Sequence, residues 1–179
     1  MSMSDENSFL AARVRTMQII LASMLLGCIL FMGIALFWRQ ANQNPLAVMP
    51  FVTYIALAFA LMTLIGSFLL SNLATAGGRR NLARQQGPAR IDTSSPDPAS
   101  SDKKKLLELM ATVLVMTAAP LEGGTFFLLV AYMIEGSLLA IVGALILLAV
   151  LASKFPTQER TERWLEQQQE LLQQDRMGI

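Results

Sequence analysis

The stretch TAAPLEGGTFFLL, from Thr117 to Leu129, places one carboxylate, Glu122, inside an apolar run. Pro120 stands two residues before it, and Gly123 and Gly124 follow directly. A charge in such surroundings is costly to desolvate, so the acids that persist there usually serve a helix contact or a proton or ion path. Pro120 has no backbone N–H. The carbonyl of Met116, four residues earlier, therefore needs a partner from a neighbouring helix, a side chain or water. On an ideal helix Ala111, Val115, Ala118, Phe126 and Leu129 fall within about 40° of Glu122, and Thr125 within about 60°.

Glu122, Pro120, Thr125 and Thr117 thus form a candidate intramembrane polar site. No Lys or Arg lies at matching depth in any apolar segment. A carboxyl without a cation costs least when protonated and hydrogen-bonded. Thr117, Thr125, Thr63, Ser67, Cys28 and backbone carbonyls are the partners in reach by depth. Two roles fit: a hydrogen-bonding clasp between helices, or a reversible protonation site in a proton- or cation-translocating subunit.

Other chemistry has little material. The chain has no histidine, the commonest general base near neutral pH and a frequent metal ligand. Its single cysteine, Cys28, sits in an apolar run and has no intramolecular disulfide partner. No phosphate-binding loop, dinucleotide fingerprint or Cys/His cluster is present. The chain therefore reads as a non-enzyme, with no catalytic residue, cofactor or metal.

Long apolar elements must position these residues. Of 179 residues, 54% are hydrophobic and 15% charged, the balance of a membrane protein. Thr16–Trp38 and Pro50–Leu73 carry no charge, Leu106–Ile134 carries only Glu108 and Glu122, and Gly136–Phe155 has Lys154 near its end. About 20 apolar residues cross a hydrocarbon core of about 30 Å, so all four are long enough, the last being the leanest. Short alternating segments of the β-barrel type do not occur. The first run is too long for a signal peptide and lacks an A-x-A-like site, so it is expected to be an uncleaved span.

The expected fold is an all-α integral membrane protein: four transmembrane helices as two hairpins, plus a cytoplasmic C-terminal amphipathic helix. Residues 1–15 form a cytoplasmic lead-in with Phe9 at the interface, 16–73 the first hairpin and 74–105 a disordered basic loop. The second hairpin is 106–155, turning through IEGS, and the tail helix is 156–179. Thirteen of the 14 Lys and Arg residues flank one side of these spans, and Arg39 alone the other. The positive-inside rule then puts both termini and the middle loop in the cytoplasm, the membrane being a bacterial inner membrane.

The middle loop is rich in Gly, Pro, Ser and charge, a composition that does not offset ordering entropy. Lys103, Lys104 and Lys105, with Arg79 and Arg80, are candidate anchors for anionic lipid headgroups. Glu108, about one turn from Lys104 and Lys105, reads as an ordinary interfacial charge. In the tail, Thr157 suits an N-cap, and Glu159 and Arg163 suit an i, i+4 pair. Trp164 with Leu171 and Leu165 with Leu172 make a narrow apolar stripe, able to lie on the membrane surface or to pair with a helix.

Small residues at four-residue spacing mark close helix contacts: Ser23 and Gly27, Ala56 and Ala60, then Gly136, Ala140 and Ala144. The bilayer is the first expected partner, with a homo-oligomer or another membrane protein the second. Nucleic acid is not expected. The functional expectation is a small polytopic membrane protein with a structural, accessory or assembly role, the protonation site being the alternative.

Overall fold

The computed structural model describes residues 3–42, 50–85 and 98–177, almost wholly helical and without a strand among them. The helices are α1 (Met3–Asn42), α2 (Phe51–Gln85), α3 (Pro98–Glu135), α4 (Leu138–Ser153) and α5 (Gln158–Met177). Three stretches, Leu10–Ala41, Phe51–Thr75 and Lys105–Glu135, are long and apolar enough to cross a membrane. The fourth apolar helix, α4, has 16 residues. At about 1.5 Å per residue it is about 24 Å long, less than the expected Gly136–Phe155 segment would give. Gly136 at φ +71° and the extended Ser137 delay its start, and its C-cap at Lys154 ends it.

The middle interval differs from the expected 74–105 loop. α2 runs on to Gln85 and α3 begins at Pro98, so Arg79, Arg80, Lys103, Lys104 and Lys105 all lie on helices. A nucleated helix gains one hydrogen bond for each residue added, and NLARQ and KKKLLEL are mostly good helix formers. Proline is well suited to a first helical position, where its missing N–H has no intrahelical acceptor. Residues 86–97 lie outside the described ones, as does the side chain of Phe9.

The chain forms two compact units. The apolar unit comprises Gln18–Leu69 and Met116–Phe155. Its core is built from Leu21 and Ala35 of α1, Ala56 and Ala60 of α2, Leu121, Leu128 and Leu129 of α3, and Ala140, Ala144, Leu147 and Leu151 of α4. Small inward residues bring the backbones close. A Cβ on Gly124 would lie 2.8 Å from Thr63 Oγ1 and 3.0 Å from Leu147 Cδ1, so any larger residue there would have to displace these side chains. Ala56, Ala60, Ala140 and Ala144 are buried as expected, whereas Ser23 faces outward and donates to the carbonyl of Ile20 at 2.7 Å. Edge-to-face rings join Phe31 to Phe126 and Phe59 to Phe127. The outer surface carries Leu30, Ile34, Phe37, Met62, Phe68 and Ile146, all exposed. Apolar exposure on that scale suits lipid rather than water.

The other unit comprises Met1–Met17, Leu70–Val115 and Pro156–Ile179. Met17, Leu106, Leu107 and Leu165 form its buried core, with Leu10, Leu109, Met110 and Trp164 packed around them. Thr157 caps α5, its Oγ1 accepting from the Arg160 N–H at 3.4 Å, and Arg163 pairs with Glu159. The face that α5 buries runs through Thr161, Leu165 and Gln168, while Leu171 is exposed. Of the expected stripe, Leu165 is buried and Trp164 packs beside it, Leu171 is exposed and the side chain of Leu172 lies outside the described residues; Thr161 joins the buried face with its hydroxyl folded onto the Thr157 carbonyl. Glu108 meets Arg13 at 3.8 Å, with both side chains largely exposed.

Candidate functional site

Glu122 is half-buried on α3, with its carboxyl turned toward α1. A Cβ on Gly27 would lie 3.8 Å from Glu122 Oε1 and 4.0 Å from the Phe126 ring, an ordinary contact distance, so the acid lies beside this position of α1. Buried Cys28 is its neighbour on α1. Among the described residues no hydrogen bond reaches the Glu122 carboxyl.

Hydroxyls expected near it are engaged elsewhere. Thr125 Oγ1 donates to the Leu121 carbonyl at 2.8 Å, and Thr63 Oγ1 to the Ala60 carbonyl at 2.8 Å. Ser67, fully buried, donates to the Thr117 carbonyl at 3.1 Å. That interhelical bond lies beside Pro120, one residue past the Met116 carbonyl, and it is made by Ser67 rather than by Glu122, from which a clasp was expected. α3 itself continues through Pro120. The four sequence-predicted residues therefore cluster on two turns of α3, but Ser67 of α2, rather than Glu122, ties those turns to a neighbour.

A second acid site escaped the sequence reading. Glu135 ends α3 and is buried, at 6% exposure. Its Oε1 accepts from the Val52 N–H and its Oε2 from the Thr53 N–H, both at 2.7 Å. These donors belong to the first turn of α2, where helical N–H groups have no intrahelical acceptor. Pro50 occupies the N-cap position, since its carbonyl accepts from Tyr54 N–H at 3.2 Å, and its side chain has no acceptor to offer. The first turn of α2 holds no acid of its own. A carboxylate delivered from α3 satisfies two orphan donors and complements the positive end of the helix dipole.

Gly136 makes this possible. Its φ of +71° turns the chain directly after Glu135, and its N–H closes on the Tyr132 carbonyl at 2.8 Å. The guanidinium of Arg39 covers Gly136 so closely that a Cβ would overlap it. The one cation expected on the outer side is thus packed against the connector. The readable sign of this site was α2 itself, a helix starting at Pro50 without a capping side chain.

At the other end of α4, the Lys154 ammonium lies 5.6 Å from the centre of the Phe68 ring, within cation–π range. Of the candidate headgroup anchors, Lys105 is half-buried at the start of the apolar stretch of α3. The side chains of Lys103, Lys104, Arg79 and Arg80 lie outside the described residues. No group of three or more Cys, Asp or Glu among the described residues is placed to hold a metal ion. No protein family, curated protein or solved structure matches the chain.

Proposed function

We propose that this chain is a multi-pass integral membrane protein with a structural, accessory or assembly role. In this reading α1 to α4 cross a bacterial inner membrane as two hairpins, with both termini and the α2–α3 interval in the cytoplasm. The exposed apolar residues on α4, including Leu139, Val142 and Ile146, support its inclusion as a span. Glu135 stands before α4 and Lys154 after it, as polar residues do at the ends of spans. A helix of about 24 Å fits with local thinning of the bilayer or a snorkelling Lys154. The clustered bases beside the α2–α3 interval suit anionic headgroups.

The observation that carries the structural role is the use of buried polar groups. Glu135 and Ser67 are fully occupied in tying helices together. Glu122 is the hydrogen-bonding group left for assembly with something further. A second reading, a proton- or cation-translocating subunit, is favoured by one fact: the same carboxyl carries no hydrogen bond among the described residues.

Two measurements test these readings. Cysteines placed at Ser95 and Gly178 should stay shielded from an impermeant thiol reagent in intact cells, while one at Asn42 should label. Labelling at Ser95 would overturn the topology. Purified protein in vesicles with an internal pH dye and an imposed potassium diffusion potential should show no proton entry above empty vesicles. Proton entry abolished by Glu122→Gln would replace the structural role with the translocating one.

A further inference from the structure

The Lys154 ammonium ends α4 at a level where its surroundings are still apolar. It lies over the Phe68 ring, 5.6 Å from the centroid, and the lysine is half-buried. The apolar stretch of α2 runs on past Phe68 to Thr75, about 10 Å further along the helix. Leu69, Leu70 and Leu73 on that continuation are exposed. The lengths of the two helices agree on this depth. α4 is about 24 Å long and Phe51–Phe68 about 26 Å, both short of a hydrocarbon core of about 30 Å. Among the described residues no carboxylate is within ion-pair distance of Lys154. A ring face lowers the cost of such a cation but supplies no counter-charge.

We propose that Lys154 and Phe68 form a binding site for the phosphate of an anionic phospholipid of the cytoplasmic leaflet, drawn inward of the usual headgroup plane. This rests on the multi-pass topology proposed above, which puts this end of α4 on the cytoplasmic side. An ammonium binds phosphate as a point charge with three donors, and contact with the ring leaves those donors still in need of acceptors. In a bilayer the acceptors at hand are headgroup oxygens. A net-negative lipid is favoured over a zwitterionic one, whose own cation competes with Lys154. Toward the membrane centre, Leu61 and Ile65 of α2 and Leu145 and Ile146 of α4 are exposed, an apolar surface for the acyl chains. The short α4 is then matched by lipid coming in to the lysine, which thins the bilayer locally.

The test uses the purified full chain in vesicles, with Trp38→Phe and Trp164→Phe removing the native indoles. Phe68→Trp keeps a ring for the ammonium and reports from the site. Leu30→Trp, on the exposed surface of α1, is the control. The probes are phosphatidylglycerol and phosphatidylcholine, each brominated on its acyl chains and offered at equal fractions. At Phe68→Trp the brominated phosphatidylglycerol should be preferred about five-fold, the factor expected for one basic residue near the membrane surface. At Leu30→Trp the two should quench alike. Adding Lys154→Gln should abolish the preference, and Lys154→Arg should keep it, with helical circular dichroism unchanged in both. Equal quenching by the two lipids at Phe68→Trp, or a preference that survives Lys154→Gln or extends to Leu30→Trp, would reject the site while leaving the chain inserted. A preference lost on adding inorganic phosphate, but kept in chloride of equal ionic strength, would reject lipid as the occupant. Quenching at neither position by either lipid would overturn the membrane topology itself, and the site with it.

Discussion

Glu135 and Glu122 sit on the same helix, 13 residues or about 20 Å apart. One is buried with both oxygens accepting from the start of α2, and the other is half-buried with no hydrogen bond among the described residues. The contrast separates two uses of a carboxylate in an apolar chain. A helix start supplies several unsatisfied N–H groups in one place, so an acid there is matched at once. A mid-helix position supplies none, because every neighbouring N–H is already bonded within its helix. An acid at mid-helix must find a side chain, a proton or another protein.

The largest effect should come from breaking the matched acid. Glu135→Leu leaves the Val52 and Thr53 N–H groups buried without acceptors and removes the charge opposite the helix dipole. The thermal unfolding midpoint in mild detergent should fall by roughly 10 °C for a chain of this size. Glu135→Gln, with one carbonyl oxygen, should fall about half as far. A midpoint unchanged in Glu135→Leu would show that α2 starts without this cap.

The connector comes next. Gly136→Ala would force a side chain into a left-handed turn and against the Arg39 guanidinium. The backbone term alone is about 1–2 kcal/mol, so a fall of about 5 °C is expected. Combining it with Arg39→Ala should recover part of the loss, since the overlap is relieved while the strained φ remains. Complete recovery would locate the whole cost in the overlap.

A smaller loss belongs to the Ser67–Thr117 bond. Single hydrogen bonds between helices in a membrane are worth about 0.6 kcal/mol on average. Ser67→Ala should therefore lower the midpoint by about 2 °C. A fall as large as that of Glu135→Leu would mean that Pro120 makes α3 depend on this one hydroxyl.

These sites differed in how openly the sequence displayed them. The apolar runs of α1 and α2 were plain because lipid imposes both length and absence of charge. Glu122 was plain because a lone charge in such a run stands out. Glu135 was not, since an acid beside glycine at the end of an apolar run looks like an ordinary turn. Its partners are backbone groups 82 and 83 residues away, and a backbone N–H leaves no mark on sequence. The helical ends of the α2–α3 interval were missed for a different reason. Composition judged them as free chain, whereas each continues a helix already formed. On α5 the Trp164 and Leu165 part of the stripe was legible, whereas burial of Thr161 was not, because its hydroxyl is satisfied locally by the Thr157 carbonyl.

The smallest expected change sharpens the comparison most. In dilute detergent micelles, where one chain occupies one micelle, Glu122 should contribute little to the fold of that chain. Its carboxyl bonds to no described residue and lies beside Gly27 at an ordinary contact distance. Glu122→Gln should leave the midpoint within about 1–2 °C, the scale of substitutions away from buried features. Glu122→Leu should do the same or raise it slightly, because an unsatisfied polar group is replaced by an apolar one. The pairing of the two measurements matters. A Leu variant that melts with the unaltered chain as a monomer, yet behaves differently in the membrane, places the work of Glu122 outside the single chain. A Leu variant that melts as early as Ser67→Ala would give Glu122 a partner within its own chain. The two carboxylates would then differ in degree rather than in kind.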